Sequence, residues 1–188
     1  GYFDVKYMTK GFLIDAANKG SEPTRDAFFK SRVLFTKDPD IPQIVSKIPV
    51  FQKQEKEEKM LSFYSDFWLN YYYFLKSCKP DGYMKLHALN EVIYSIYRMI
   101  LQEKEILFPS NRRLEETVQN ISKETFELVK LGKQSASSQE MLDIDAFVDY
   151  FLKITSYTIP TSDKSILSQY TKDFEQWWRN PRPNINEW

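Results

Sequence analysis

Residues 83–109, YMKLHALNEVIYSIYRMILQEKEILFP, decide how the rest of the chain reads. Leu86, Leu89, Val92, Ile93, Ile96, Tyr97 and Ile100 recur at three- and four-residue steps, which puts them on one broad face of an α-helix. That face is core. His87, Glu91, Tyr94 and Arg98 follow one another at spacings of four, three and four, so the same helix carries a second, polar stripe. Such a stripe is a solvated edge or an internal ion pair, or else the wall of a cleft that holds a polar ligand. Spacing alone favours the first, because structural ion-pair networks are common.

The segment in front pairs with this helix. From residue 53 a charged run feeds into Met60, Leu61, Tyr64, Phe67, Trp68, Tyr71, Tyr72 and Leu75, a helical stripe sustained to Cys78. Residues 79–82 (KPDG) form a break short enough to make the two helices antiparallel neighbours, the spine of the fold. Leu107, Phe108 and Pro109 stop the second helix. Residues 111–120, through Leu114 and Val118, and 123–131, through Phe126, Val129 and Leu131, read as short helices, the second closed by Gly132. Residues 134–138 (QSASS) read as a polar linker and 139–157 as another helix. A last helix, capped by Ser162 or Asp163, runs to about Arg179 with Ile166, Leu167, Tyr170, Phe174 and Trp177 or Trp178 buried. Residues 180–188 read as an extended surface tail.

The first fifty residues look different. In residues 2–8, Phe3, Val5 and Tyr7 alternate with Asp4 and Lys6, the pattern of a strand with one apolar face. Residues 10–19 read as a short helix ended by Gly20, and a second begins at Thr24 or Asp26. Residues 33–36 (VLFT) are β-like, and residues 41–48 make one or two more helical turns before Pro49. The chain opens inside a strand pattern, so the expectation is that further residues precede Gly1.

Composition narrows the function. Lysine plus arginine equal aspartate plus glutamate at 26 each, so no net field steers the molecule to nucleic acid or an anionic bilayer. Cys78 is the only cysteine and His87 the only histidine, which excludes an internal disulfide and a Cys/His zinc site. No apolar run approaches the ~20 residues that span a bilayer, and no signal segment opens the chain, so the expected location is cytoplasmic. A nucleophile elbow, a Walker loop, a dinucleotide fingerprint and a C-x-x-C pair are absent. Asp4, on a strand, reads either as the exposed side of an edge or as one carboxylate of a metal site. Two-metal chemistry needs at least two more carboxylates, and none follows at a suitable spacing.

FDVKYM, then RVLFTKD with a short helix, the long aromatic helix, RMILQEKEILFPSNRRL and the closing WWR and INEW together resemble the later portion of a nucleotidyltransferase of the DNA polymerase beta type, especially its aminoglycoside-adenylyltransferase-like members. The resemblance implies a predominantly helical α+β fold. Residues 1–50 would be the remnant of the nucleotidyltransferase α/β domain and 51–188 a C-terminal helical bundle. It implies transfer of a nucleoside monophosphate from a nucleotide triphosphate to a hydroxyl of a small acceptor, with magnesium as cofactor. Asp4 would match the family's third metal-binding, catalytic carboxylate, its Gly-Ser turn and Asp-x-Asp pair lying before Gly1. Glu91 would bind the acceptor or act as base. Tyr94 and Arg98 would complete the substrate site, and Arg112 and Arg113 would meet phosphate. The plain alternative for Arg98 is a salt bridge to Glu91 or Glu105. A rival reading is a non-catalytic helical module that binds a ligand or a protein. A third is a structural domain that forms a homodimer through an exposed patch of Tyr71, Tyr72 and Tyr73.

Overall fold

A computed structural model describes residues 5–181 and Ile185. Two long helices do form the spine. The first, α4 (Lys56–Trp68), continues without interruption as a π-helical segment, Leu69–Cys78, and ends where Lys79 turns left-handed at φ 51° and donates its N–H to the Phe74 carbonyl. The second, α5 (Gly82–Glu103), folds back along it. Phe63, Phe67 and Tyr71 on the first arm meet Leu89, Val92, Ile96 and Ile100 on the second in one apolar core. Aromatic rings do much of the filling: Phe67 stacks on Tyr71 at 5.7 Å and meets Phe151 edge-on at 5.9 Å.

Three helices close the far side of the core. They are α6 (Asn111–Gln119), α7 (Lys123–Ser138) and α8 (Met141–Ile154), contributing Leu114, Val118, Leu128, Val129, Ile144, Phe147, Val148 and Phe151. Helix α7 starts on a capping box, Ser122 and Thr125 bonding each other's backbone N–H. It runs through Gly132 and the supposed linker to end at Gln139, φ 56°. Gly132 is there for packing and not for capping: a Cβ at this position would overlap the Tyr97 hydroxyl of α5. Helix α9 (Asp163–Tyr170), capped by Ser162, passes into a π-helical turn, Thr171–Glu175, and a 3₁₀ turn, Trp177–Arg179. It packs Ile166 against α4, whereas Trp177 and Trp178 stand in solvent. Tyr71 is buried, so the three tyrosines form no common exposed patch.

The first fifty residues form three short helices, α1 (Lys10–Lys19), α2 (Glu22–Ala27) and α3 (Ile41–Lys47). Thr9 caps α1 by accepting from the Phe12 N–H, and Gly20 ends it where a Cβ would collide with the Ala16 carbonyl. Among the described residues there is no strand. Residues 5–8 and 33–36 carry the strand-like patterns but are not assigned to a strand, and a strand exists only as one member of a hydrogen-bonded pair; residues 2–4 lie outside the described part. The α+β fold class, and with it the remnant of a nucleotidyltransferase α/β domain, is therefore corrected: among the described residues the architecture is all-helical.

Candidate functional site

The polar stripe of α5 lies against a matching stripe on the first arm, made by Lys59, Ser62, Asp66 and Asn70 at steps of three, four and four. Together they form a buried polar seam through an otherwise apolar hairpin, with two centres.

The first centre is Glu22 of α2. Its Oε1 accepts from Lys59 Nζ at 2.9 Å and Gln102 Nε2 at 2.7 Å, and its Oε2 from the Phe108 N–H at 2.9 Å, with Arg98 Nη2 at 3.7 Å. Arg98 is 0% exposed. Its guanidinium lies 4.4 Å from the ring centre of Phe63 and 3.9 Å from that of Phe108, and donates to the Tyr94 hydroxyl. Removing these charges from water is costly, and the dense bonding offsets it. Next to Glu22, Arg25 is also buried and spends its guanidinium on main-chain carbonyls: Gly20 at 2.8 Å, Ile48 at 2.9 Å and Ala17 at 3.1 Å. The two residues fasten α2 to the hairpin and α1 to α2.

The second centre is Asp66. Its Oδ2 accepts from Ser95 Oγ at 2.6 Å and its Oδ1 from Asn70 Nδ2 at 2.9 Å, with the Glu91 carboxyl as its charged neighbour. Burial, opposed by the Ser95 hydroxyl and reinforced by the Glu91 charge, pushes the Asp66 carboxyl up to about 8. Burial also raises Glu91, against the pull of His87, whose Nδ1 is 3.9 Å from Glu91 Oε1. The buried Asp66 carboxyl is thus the one that favours its protonated form at neutral pH. Tyr170 of α9 is raised to about 12, by burial first and then by the charges of Asp66, Glu175 and Glu91. Beside this centre Ser62 and Gln169 both donate to Asp173, joining the α9 arm to α4.

The seam accounts for Glu91, Tyr94 and Arg98, which lie within it. Arg98 pairs with Glu22; Glu105 is bound instead by Lys53 at 2.5 Å and Lys56 at 3.5 Å. Arg113 pairs with Asp26 and Arg112 is exposed, both at the start of α6. Asp4 lies outside the described residues. Among the described residues no group of three or more His, Cys, Asp or Glu is placed to hold a metal ion. With no sheet there either, the nucleotidyl-transfer reading and its transferase, magnesium and nucleotide-binding attributes lack the scaffold they require, and that reading is withdrawn. An open groove of about 780 Å³, lined by Lys164, Thr171, Lys172, Gln176, Arg179 and Asn180, contains none of the seam residues. No helix of the described residues is long and apolar enough to cross a membrane.

The opposite condition holds at the other end of the chain. Tyr7 is 98% exposed, Leu34 94% and Phe35 80%, with Val5, Met8 and Phe29 also in solvent. Single exposed apolar residues are ordinary, as with Leu142 on α8; a run of them in irregular chain is not. Lys10 ties the two runs together at their ends, its Nζ lying 2.8 Å from Asp38 and 2.9 Å from Asp40. Comparison with protein-family models, curated sequences and solved structures finds no match.

Proposed function

We propose that this chain is a non-catalytic, protein-binding helical module, with α4–α9 as a rigid platform and the first fifty residues presenting the contact surface. The observation that carries this reading is the uncovered apolar run at Leu34 and Phe35, on a part of the chain that Glu22 and Arg25 anchor to the bundle. The polar residues of the seam support it from the other side: Lys59, Arg98 and Gln102 are buried around Glu22, and Asp66 against Ser95 and Asn70, as structural groups are. A cytoplasmic location, with Cys78 as an exposed thiol, fits this reading.

The test is site-specific photo-crosslinking in cells, with the cross-linking side chain placed at Phe35, at Tyr7 and, as a control, at the equally exposed Leu142 of α8. The expected result is one discrete protein adduct from the first two positions and none from the third. Adducts that are the same from all three positions, or absent from all, overturn the proposal.

A further inference from the structure

Residues 31–36 (SRVLFT) run on with no helix, turn or bend, and none of the backbone N–H or C=O groups of residues 32–36 bonds to backbone among the described residues. Backbone groups left unpaired along such a run are what an edge strand offers. Both ends are fixed. Before the run, the Phe29 and Ser31 N–H groups bond back to Asp26 and Phe28, with Lys30 left-handed at φ 64°. After it, Thr36 Oγ1 bonds the backbone of Asp38, whose carboxylate is held by Lys10. A segment held in this way loses less freedom on docking than a loose one.

Its charge is one-sided. Lys30, Arg32 and Lys37 are exposed, while the neighbouring acids Asp38 and Asp40 are already bound to Lys10. Two copies pairing with each other would bring twice that positive charge together, and like charges across a strand pair repel. An anionic membrane would match the charge, but free N–H and C=O groups are costly in hydrocarbon.

We infer that residues 31–36 dock by adding themselves as a strand to an acidic β-sheet edge of a partner protein. This rests on the protein-binding reading. Main-chain bonds supply the pairing, Leu34 packs on one face of the extended sheet, Val33 and Phe35 on the other, and the flanking basic residues select the acidic edge.

The test uses the full chain and a disulfide-closed β-hairpin peptide whose free edge strand alternates valine with glutamate. Controls are the same hairpin with lysine in place of glutamate, and vesicles of anionic phospholipid. The expected result is binding to the acidic hairpin at least about tenfold tighter than to the basic one at low salt, weakened about tenfold by Leu34→Asp or Phe35→Asp. Single proline substitutions from Arg32 to Thr36 are expected to weaken it at alternate positions only, because successive N–H groups of a strand point to opposite edges. Circular dichroism should show helix content unchanged in every variant. If the aspartate variants weaken binding and the prolines do not, strand addition is wrong and apolar docking stands. If neither matters, the protein-binding reading of this segment falls as well. Equal or no binding to the two hairpins, preference for vesicles, or self-association lost in Phe35→Asp each overturns the inference.

Discussion

The seam between α4 and α5 and the run at residues 31–36 use their atoms in opposite ways. The seam buries lysine, arginine, aspartate and glutamate in the middle of a protein, and the run holds leucine and phenylalanine out in water. Each is unfavourable unless matched. The seam is matched within the chain, because a short connection brings α5 back along α4 and Glu22 arrives from α2. The run has no such neighbour among the described residues, and what it lacks is backbone pairing as much as apolar cover. A polar residue in the core therefore points to a contact already made, and on the binding reading proposed above, a run of apolar residues in irregular chain points to one still to be made.

The largest break of this contrast would come at Glu22. Glu22→Ala removes the carboxylate shared by Lys59, Arg98, Gln102 and the Phe108 N–H, leaving Lys59 with Glu55 at 3.2 Å, and we expect a loss of roughly 3 kcal/mol in urea unfolding. Protease cleavage should rise first between residues 28 and 40, as α2 comes loose. A loss below 1 kcal/mol would mean that the centre is wet.

Asp66 sharpens the same side of the contrast through pH. Its folded-state pKa is raised above the ordinary carboxyl value, so the folded protein binds a proton that the unfolded chain has released. Its contribution is fully present below about pH 4 and is lost as pH rises through about 8, at no more than about 1.4 kcal/mol per unit. Asp66→Asn, which is close in shape and carries no titrating proton, should therefore gain on the wild type steadily from pH 5 to pH 8; parallel stability curves would rule out the raised Asp66 carboxyl. The facing groups Glu91, His87 and Tyr170 remain in both proteins and largely cancel in the difference.

Gly132→Ala forces a methyl group into the Tyr97 hydroxyl and should cost about 1–3 kcal/mol by thermal unfolding. Part should return in the double variant with Tyr97→Phe, since the hydroxyl is the first atom met. Absence of any rescue would place the strain elsewhere. The smallest effect belongs to the exposed run: Leu34→Asp should change stability by no more than about 0.5 kcal/mol. A larger loss would mean that Leu34 already has cover.

The apolar face of α5 was legible because Leu89, Val92, Ile96 and Ile100 need only a regular helix to line up. So were its polar stripe and the favoured ion-pair reading of it, but not the partner, Glu22. Lys59, Ser62, Asp66 and Asn70 show the complementary spacing on α4, yet the neighbouring aromatic residues dominate that stretch, and the chief acceptor, Glu22, is remote in sequence. Gly132 was read as a helix end because glycine ends helices more often than it admits a neighbouring hydroxyl. The alternation at Phe3, Val5 and Tyr7 and at residues 33–36 reports which faces a strand would have; pairing requires a second strand, and no pattern within a segment supplies one. The nucleotidyltransferase resemblance leaned on those two segments, so it failed with them.

Glu22 also sets an order of events. Every partner of its carboxylate, Lys59, Arg98, Gln102 and Phe108, is later in the chain. During synthesis α2 leaves the ribosome first, yet the socket for its carboxylate is complete only once Phe108 has emerged and α4 and α5 have paired. Helices α1 and α2 thus wait for α4 and α5 before they are locked, and until then Leu34 and Phe35 ride on a tethered but unseated arm.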